Sequence, residues 1–311
     1  MRIFMTQFGG QISHRVIKSN SLSGKLSEMK KLLLIIFVGA AASVLITENA
    51  TAGGISVDAG LTPPEDRWIV RSQFRYMQRK NDPTSMDQKM DTYAFPMVVA
   101  YGFRSDLTLM VRQPVKHKKM TMSGSISRDT GFDDLFVLAK YKLYRRNTRE
   151  YTFGLASTLG LEFPTGDDDF GSETWDLQPG LFASWRSGPW ASDFSISYKW
   201  NGFADDGKNG MDPGNELSVD LALAHQLSIG QNADMSVTPV LEFNYKHLLP
   251  DRLSGDIANT GESLFFVSPG IKFTKSSFIF EALVQFPVWQ DQEGSQLKQG
   301  VRFIVGTRFM F

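Results

Sequence analysis

From residue 66 onward, apolar and polar side chains alternate one for one through about a dozen segments. The last of them, Gln299–Phe311, shows the pattern plainly. Val301, Phe303, Val305, Thr307, Phe309 and Phe311 fall on one face, and Gly300, Arg302, Ile304, Gly306, Arg308 and Met310 on the other. A repeat of two is the side-chain repeat of a β-strand, so one face is greasy while the other carries charge. The same reading places strands near Trp68–Gln78, Thr92–Phe103, Leu107–Lys116, Asp133–Tyr144, Tyr151–Phe163, Thr174–Arg186, Trp190–Asn201, Asn215–Leu227, Asp234–Lys246, Glu262–Thr274 and Ser277–Val288.

Between these segments, long polar connections at 79–91, 117–131, 164–173, 202–214, 247–261 and 289–297 alternate with tight turns. Bacterial outer-membrane barrels carry that asymmetry, with long loops outside and short turns in the periplasm. The pattern predicts an all-β fold: a closed antiparallel transmembrane β-barrel of 12 strands in an up-and-down meander. Its greasy face would meet lipid and its polar face a lumen. Pro96, Pro114, Pro179, Pro239 and Pro269 fall inside the proposed strands. Proline cannot donate to a ladder, so these positions call for bulges near the rims.

Tryptophan spacing supports the membrane reading. Trp175 and Trp185 are ten residues apart, and so are Trp190 and Trp200. On tilted strands ten residues rise about 23 Å, close to an apolar band of about 25 Å edged by aromatic girdles. The four would mark both rims of one hairpin. On the same face, Arg at Val219 or Leu221 is expected to cost about 2–4 kcal/mol, and Arg at the opposite-facing Ala222 less. The aromatic end at Phe309 and Phe311 reads as an assembly signal for the barrel-assembly machinery.

Residues 29–52 have the parts of a signal peptide: Met29-Lys30-Lys31, the apolar run from Leu32, and Ala50-Thr51-Ala52 as a small-x-small cleavage site before Gly53. Residues 1–28 read as an n-region extension or an unused upstream start. Residues 53–65, with paired prolines and three glycines, read as an irregular lead-in to a barrel of 66–311. Pattern alone leaves open whether the lead-in enters the lumen as a small plug.

Composition removes several functions. The chain of 311 residues has a formal net charge of zero, so nothing marks a nucleic-acid partner. It has no cysteine, which excludes disulfides, thiolate metal sites and a cysteine nucleophile. Mean hydropathy is −0.19, too low for a bundle of membrane helices. No phosphate loop and no His-Glu-x-x-His site is present, and no cofactor or metal is expected.

The polar face supplies the candidate chemistry. Its basic members are Arg71, Arg75, Arg112, Lys116, Lys140, Lys142, Lys199, Lys246, Lys272, Arg302 and Arg308. Its acidic members are Asp134, Glu162, Asp176, Asp193, Glu216, Asp220, Glu242, Glu262 and Glu281. Mixed signs fit either a cross-linked, largely filled lumen or a charged path that tunes selectivity. Twelve strands enclose a lumen well short of a general porin's, so a narrow passage is expected. Asp167-Asp168-Asp169 and the loop with Asp205, Asp206 and Asp212 resemble hard-cation clusters, but their spacing fits no EF-hand, and solvated loops are expected. A phospholipase would need serine, histidine and an orienting group together. His225 lies on the right face, but no neighbouring sequence supports the site, and a rim position near a turn is expected. The chain is therefore not expected to be an enzyme.

Four segments carry a resemblance: Asp58-Ala-Gly-Leu-Thr-Pro-Pro-Glu-Asp-Arg-Trp68, Phe132-Asp-Asp-Leu-Phe-Val-Leu-Ala-Lys-Tyr-Lys-Leu-Tyr144, Leu159-Gly-Leu-Glu-Phe-Pro-Thr-Gly-Asp-Asp168 and Glu281-Ala-Leu-Val-Gln-Phe-Pro-Val288. Together the chain resembles the MetA-pathway of phenol degradation family of outer-membrane transporters. The resemblance implies an outer-membrane barrel linked to aromatic catabolism and brings no binding residues with it. The expectation is a monomeric barrel, in contact with outer-membrane lipid and lipopolysaccharide, for passive uptake of small, aromatic or apolar solutes. The alternative is a closed-lumen structural or receptor-like barrel.

Overall fold

The computed structural model describes residues 53–84, 86–203, 211–229, 235–254 and 256–311. The segments expected as signal peptide and upstream extension lie outside the described residues, as do Asp205 and Asp206. Twelve antiparallel strands follow one another: β1 (Trp68–Lys80), β2 (Lys89–Arg104), β3 (Leu107–Met122), β4 in two pieces (Ser125–Phe132 and Leu135–Asn147), β5 (Thr152–Phe163) and β6 (Asp176–Ser187). Then come β7 (Trp190–Lys199), β8 in two pieces (Glu216–His225 and Leu227–Ile229), β9 (Met235–Leu248), β10 (Glu262–Lys275), β11 (Phe278–Gln292) and β12 (Lys298–Met310). Each pairs with the next, and β12 pairs back onto β1. The ring ends where Trp68 and Phe311 exchange backbone hydrogen bonds of 2.7 and 3.0 Å. This is a closed 12-stranded barrel, and no helix is among the described elements.

Its burial is the reverse of a water-soluble protein's. Phe95, Leu159, Leu181, Phe273 and Phe303 are exposed on the outside, whereas Asp193, Glu242, Lys272 and Glu281 are 0% exposed within. Charged groups are almost never fully buried unless paired. The outer face therefore suits a solvent that is itself apolar, and the closed ring leaves no free sheet edge in it.

Two expectations needed correction. Residues 117–131 are mostly ladder. β3 and β4 stay paired from Val115–Phe132 to Met122–Ser125, and Ser123 and Gly124, both at positive φ, make the turn. The stretch is polar because of its composition, Lys116-His-Lys-Lys119 included, and that hid a strand pair extending past the apolar band. Of the five prolines only Pro114 sits at a bulge: between the pairs Val115–Phe132 and Arg112–Phe136, two residues of β3 face three of β4. The other register shifts, at Met77/Arg79, Gly102/Arg104, Lys142/Tyr144 and Phe265/Phe266, fall at none of the remaining four prolines.

Two prolines show how the ladder copes. Pro96 and Pro114 face each other across β2 and β3. The β1–β2 pairing skips from Ser72–Met97 to Arg75–Ala94, beside Pro96. Pro114 sits where β4 is interrupted, its carbonyl accepting from Asp133 N–H at 3.1 Å. Each missing donor coincides with a gap in the pairing to the neighbouring strand. The others, Pro179, Pro239 and Pro269, stay in register opposite Leu159, Ile271 and Leu241.

Candidate functional site: a plugged lumen

Residues 53–67 do not join the sheet. They fold into the barrel. Ile55, 0% exposed, packs with Ala191, Ala224, Val240, Leu283 and Ile304, which come from β7, β8, β9, β11 and β12. A buried residue clustered with side chains from five strands of a ring lies in its lumen. Four of those partners are small or β-branched, and together the five form an apolar seat on a face otherwise rich in charge.

The segment is held by its backbone. Gly54 N–H donates to Asp193 at 2.8 Å. Ile55 N–H donates to Glu242, and so does Ser56 N–H at 3.1 Å, with the Ser56 hydroxyl on the same carboxylate. The Ile55 carbonyl accepts from Arg71. Gly60 N–H donates to Ser184 Oγ at 2.8 Å, and Lys140 Nζ donates to the Ala59 carbonyl at 2.8 Å. Gly60 must be glycine, since a Cβ there would stand 2.4 Å from the Phe182 carbonyl oxygen. Lower down, the Pro64 carbonyl rests against Gly102, where a Cβ would come within 2.1 Å.

Around this plug the inward charges divide into two layers. The middle layer serves the plug. Glu281 accepts from Arg71 at 2.7 Å, Gln73 at 2.8 Å and Arg308 at 3.3 Å. Arg186 meets Asp193 at 2.7 Å. The outer layer, toward the long loops, pairs with itself. Lys199 Nζ lies 2.8 Å from both Glu162 and Asp176. Arg112 reaches Glu162 at 3.5 Å and stacks 4.3 Å above the Phe136 ring. Lys246 pairs with Glu216 at 2.6 Å, and Arg79 with Glu262 at 2.7 Å.

The remaining inward residues named from the sequence sit between or beside these layers. Asp220 accepts from Asn244 at 2.9 Å and from Ser195 at 3.2 Å. Arg75 donates to Gln73 at 2.6 Å. Arg302 donates to Gln299 at 3.0 Å and lies 4.3 Å above the Phe266 ring. Gln73 and Ser184, which hold the plug's surroundings, carried no signal in the sequence: an inward Gln or Ser is ordinary lumen composition.

On the outside, Trp185 and Trp190 lie at the short-turn end, 41% and 55% exposed. At the long-loop end, Trp200 bridges to Leu177, and Trp175 packs on Phe163 with ring centroids 4.9 Å apart. Phe309 packs on Phe278 at 4.8 Å, and the Phe311 backbone closes on Trp68. His225 lies at the short-turn end, 4.3 Å from the Trp190 ring, and its buried Nδ1 has no hydrogen-bond partner. No orienting carboxylate holds it among the described residues.

The acidic motif also has a local task. Asp134 accepts from Gly166 N–H at 2.8 Å and Ser172 N–H at 2.6 Å, while Asp167 accepts from Phe132 N–H at 2.8 Å. The Phe-Asp-Asp and Pro-Thr-Gly-Asp-Asp segments, about thirty residues apart in sequence, thus knot the β4 break to the β5–β6 loop. No metal-holding cluster of His, Cys, Asp and Glu occurs among the described residues.

The family model for the MetA-pathway of phenol degradation matches residues 73–296. The structure is similar to the crystal structure of an outer membrane channel from Pseudomonas putida F1, with a TM-score of 0.64 at 15% identity, covering 82% of this chain and 100% of that one. It is also similar to the β domain of the Bordetella autotransporter BrkA, with a TM-score of 0.47 at 9% identity, covering 79% of this chain and 100% of that one. No curated protein matches by sequence.

Proposed function

The chain belongs to the MetA-pathway of phenol degradation family, and from that premise we propose a passive outer-membrane channel for small, aromatic or apolar molecules. One observation carries the reading. The lumen holds a short segment fixed through its backbone to side chains of the wall, not a folded domain. Such a plug can shift without unfolding the wall, because the outer layer of charges is satisfied without it. The family's name and the similarity to an outer membrane channel support the same reading. The reversed burial supports residence in the outer membrane. Passage is downhill in this reading.

The alternative, a closed structural or receptor-like barrel, is favoured by the same plug if it never moves. Planar-bilayer recording and liposome uptake of the purified barrel separate the two. Discrete conductance together with uptake of small aromatic solutes is expected. A silent bilayer and impermeable liposomes from correctly folded protein would leave the closed barrel as the better reading.

A further inference from the structure

A cavity of about 300 Å³ lies between the plug and the wall, toward the short-turn end. That volume is at the lower bound of about 300 Å³ for small-molecule pockets. Its wall is apolar where Ile69, Val98, Ala100, Met110, Leu138 and Met310 line it. Its charge is one-sided: Arg71, Lys140, Arg145, Arg186 and Arg308 face Asp58 and Asp193. Glu281, behind Arg71 and Arg308, is a third acid, so the cations remain in excess.

The polar groups of this cavity are also incompletely used. Lys140 gives one hydrogen bond, to the Ala59 carbonyl, and forms no ion pair among the described residues. Thr108 stands directly opposite Lys140 on the neighbouring strand. Its Oγ1 is buried without a hydrogen-bond partner, and so are Thr62 Oγ1 and Arg308 Nε. Thr108 is 3% exposed and Thr62 6%. Buried polar groups ordinarily find partners, and these three line one cavity beside an under-used ammonium.

We infer that this cavity is a binding site for a small organic anion: a carboxylate on a compact apolar body. The carboxylate would accept from Lys140, Thr108 and Thr62, with Arg308 behind, and the body would lie on Val98, Ala100, Met110, Leu138 and Met310. Hydrogen bonds from an ammonium to a carboxylate are roughly twice as strong as neutral ones, so the head group decides affinity and the wall decides size. A neutral ligand of the same shape would leave the cation excess unanswered, and a bare small anion would leave the apolar wall wet. The inference narrows the solute class of the channel reading and rests on it only for biological meaning. The site can be measured without any transport.

The test is equilibrium titration of the full barrel in nanodiscs of zwitterionic lipid with benzoate, benzyl alcohol and acetate. Benzoate is expected to bind at least tenfold more tightly than either of the others. Lys140→Met is expected to lose that preference, and Thr108→Val, which keeps the side-chain shape, to weaken benzoate severalfold. Heat-modifiable gel mobility reports whether each variant is a folded barrel. Equal binding of benzoate and benzyl alcohol, or undiminished benzoate binding in both folded variants, overturns the site. Failure of the channel reading looks different: benzoate binds, but neither ions nor solute cross the bilayer.

Discussion

The two charged layers of the lumen use the same residue types for opposite ends. In the outer layer carboxylates answer ammonium and guanidinium groups on neighbouring strands: Glu162 and Asp176 with Lys199, Glu216 with Lys246, Glu262 with Arg79. In the middle layer Glu242 and Asp193 take backbone N–H groups of residues 54–56, which belong to no strand. The first arrangement ties the wall to itself. The second makes part of the wall's satisfaction depend on a segment that can in principle leave. Charge content alone does not distinguish them; what each carboxylate touches does.

Deleting residues 53–65 should separate the layers most sharply. Single-channel conductance should rise severalfold while the barrel still folds and keeps its heat-modifiable mobility. Unchanged conductance would mean that the constriction lies in the outer layer. Next comes Glu242→Ala. It leaves the Ile55 and Ser56 N–H groups without their acceptor, at about 1–3 kcal/mol each. That loss falls on plug docking, so current fluctuations should increase more than thermal stability falls. Glu162→Gln in the outer layer, where Lys199 keeps Asp176, should alter ion selectivity with quiet current.

The membrane face offers a third comparison, on β8. Leu221→Arg should cost about 2–4 kcal/mol in refolding into bilayers if the residue lies near the midplane. Ala222 was expected to tolerate Arg better because it faces inward. It does face inward, but it is 1% exposed and its Cβ would meet a Cβ on Gly54 at 3.2 Å. Ala222→Arg should therefore displace the plug and raise conductance, with a smaller cost to the wall than Leu221→Arg. Similar refolding costs and unaltered conductance in both would break the assignment of faces.

The smallest effect concerns the outer loop 81–88. Asp82 is pushed up by burial, but hydrogen bonds from Thr84 and Gln88 outweigh this and hold its carboxyl below the ordinary range. A depressed pKa contributes order above the unfolded value and loses it as pH falls through the folded one. Amide exchange of Gln88, compared with peptide rates, should lose protection on acidification, and Asp82→Asn should remove most of that pH dependence.

Much of the wall was legible in the sequence because a membrane barrel writes its fold as a period of two. Phe303 out and Arg302 in follow from neighbouring positions in one strand. Strand ends were less legible where the strands leave lipid: beyond Lys116 the outer face is no longer apolar, and the alternation loses its contrast although the ladder continues. The plug was legible only as an irregular lead-in that could enter the lumen, with no sign of where it binds. Gly53-Gly-Ile-Ser-Val57 has no repeat, and its binding uses backbone groups that every residue possesses. Its receptors were visible only as inward acids, with nothing to tell Glu242 from Glu216.

The tether between the lumen segment and β1 also couples the plug to the closure of the ring. Arg71 of β1 binds the Ile55 carbonyl, and Arg71 and Arg308 face each other across the β1–β12 seam over one shared Glu281. The seam where first and last strands meet is thus the one fastened to the lumen segment. One carboxylate thus serves both the segment's anchor and the seam, so loosening the β1–β12 pairing would also loosen the segment's hold on the wall.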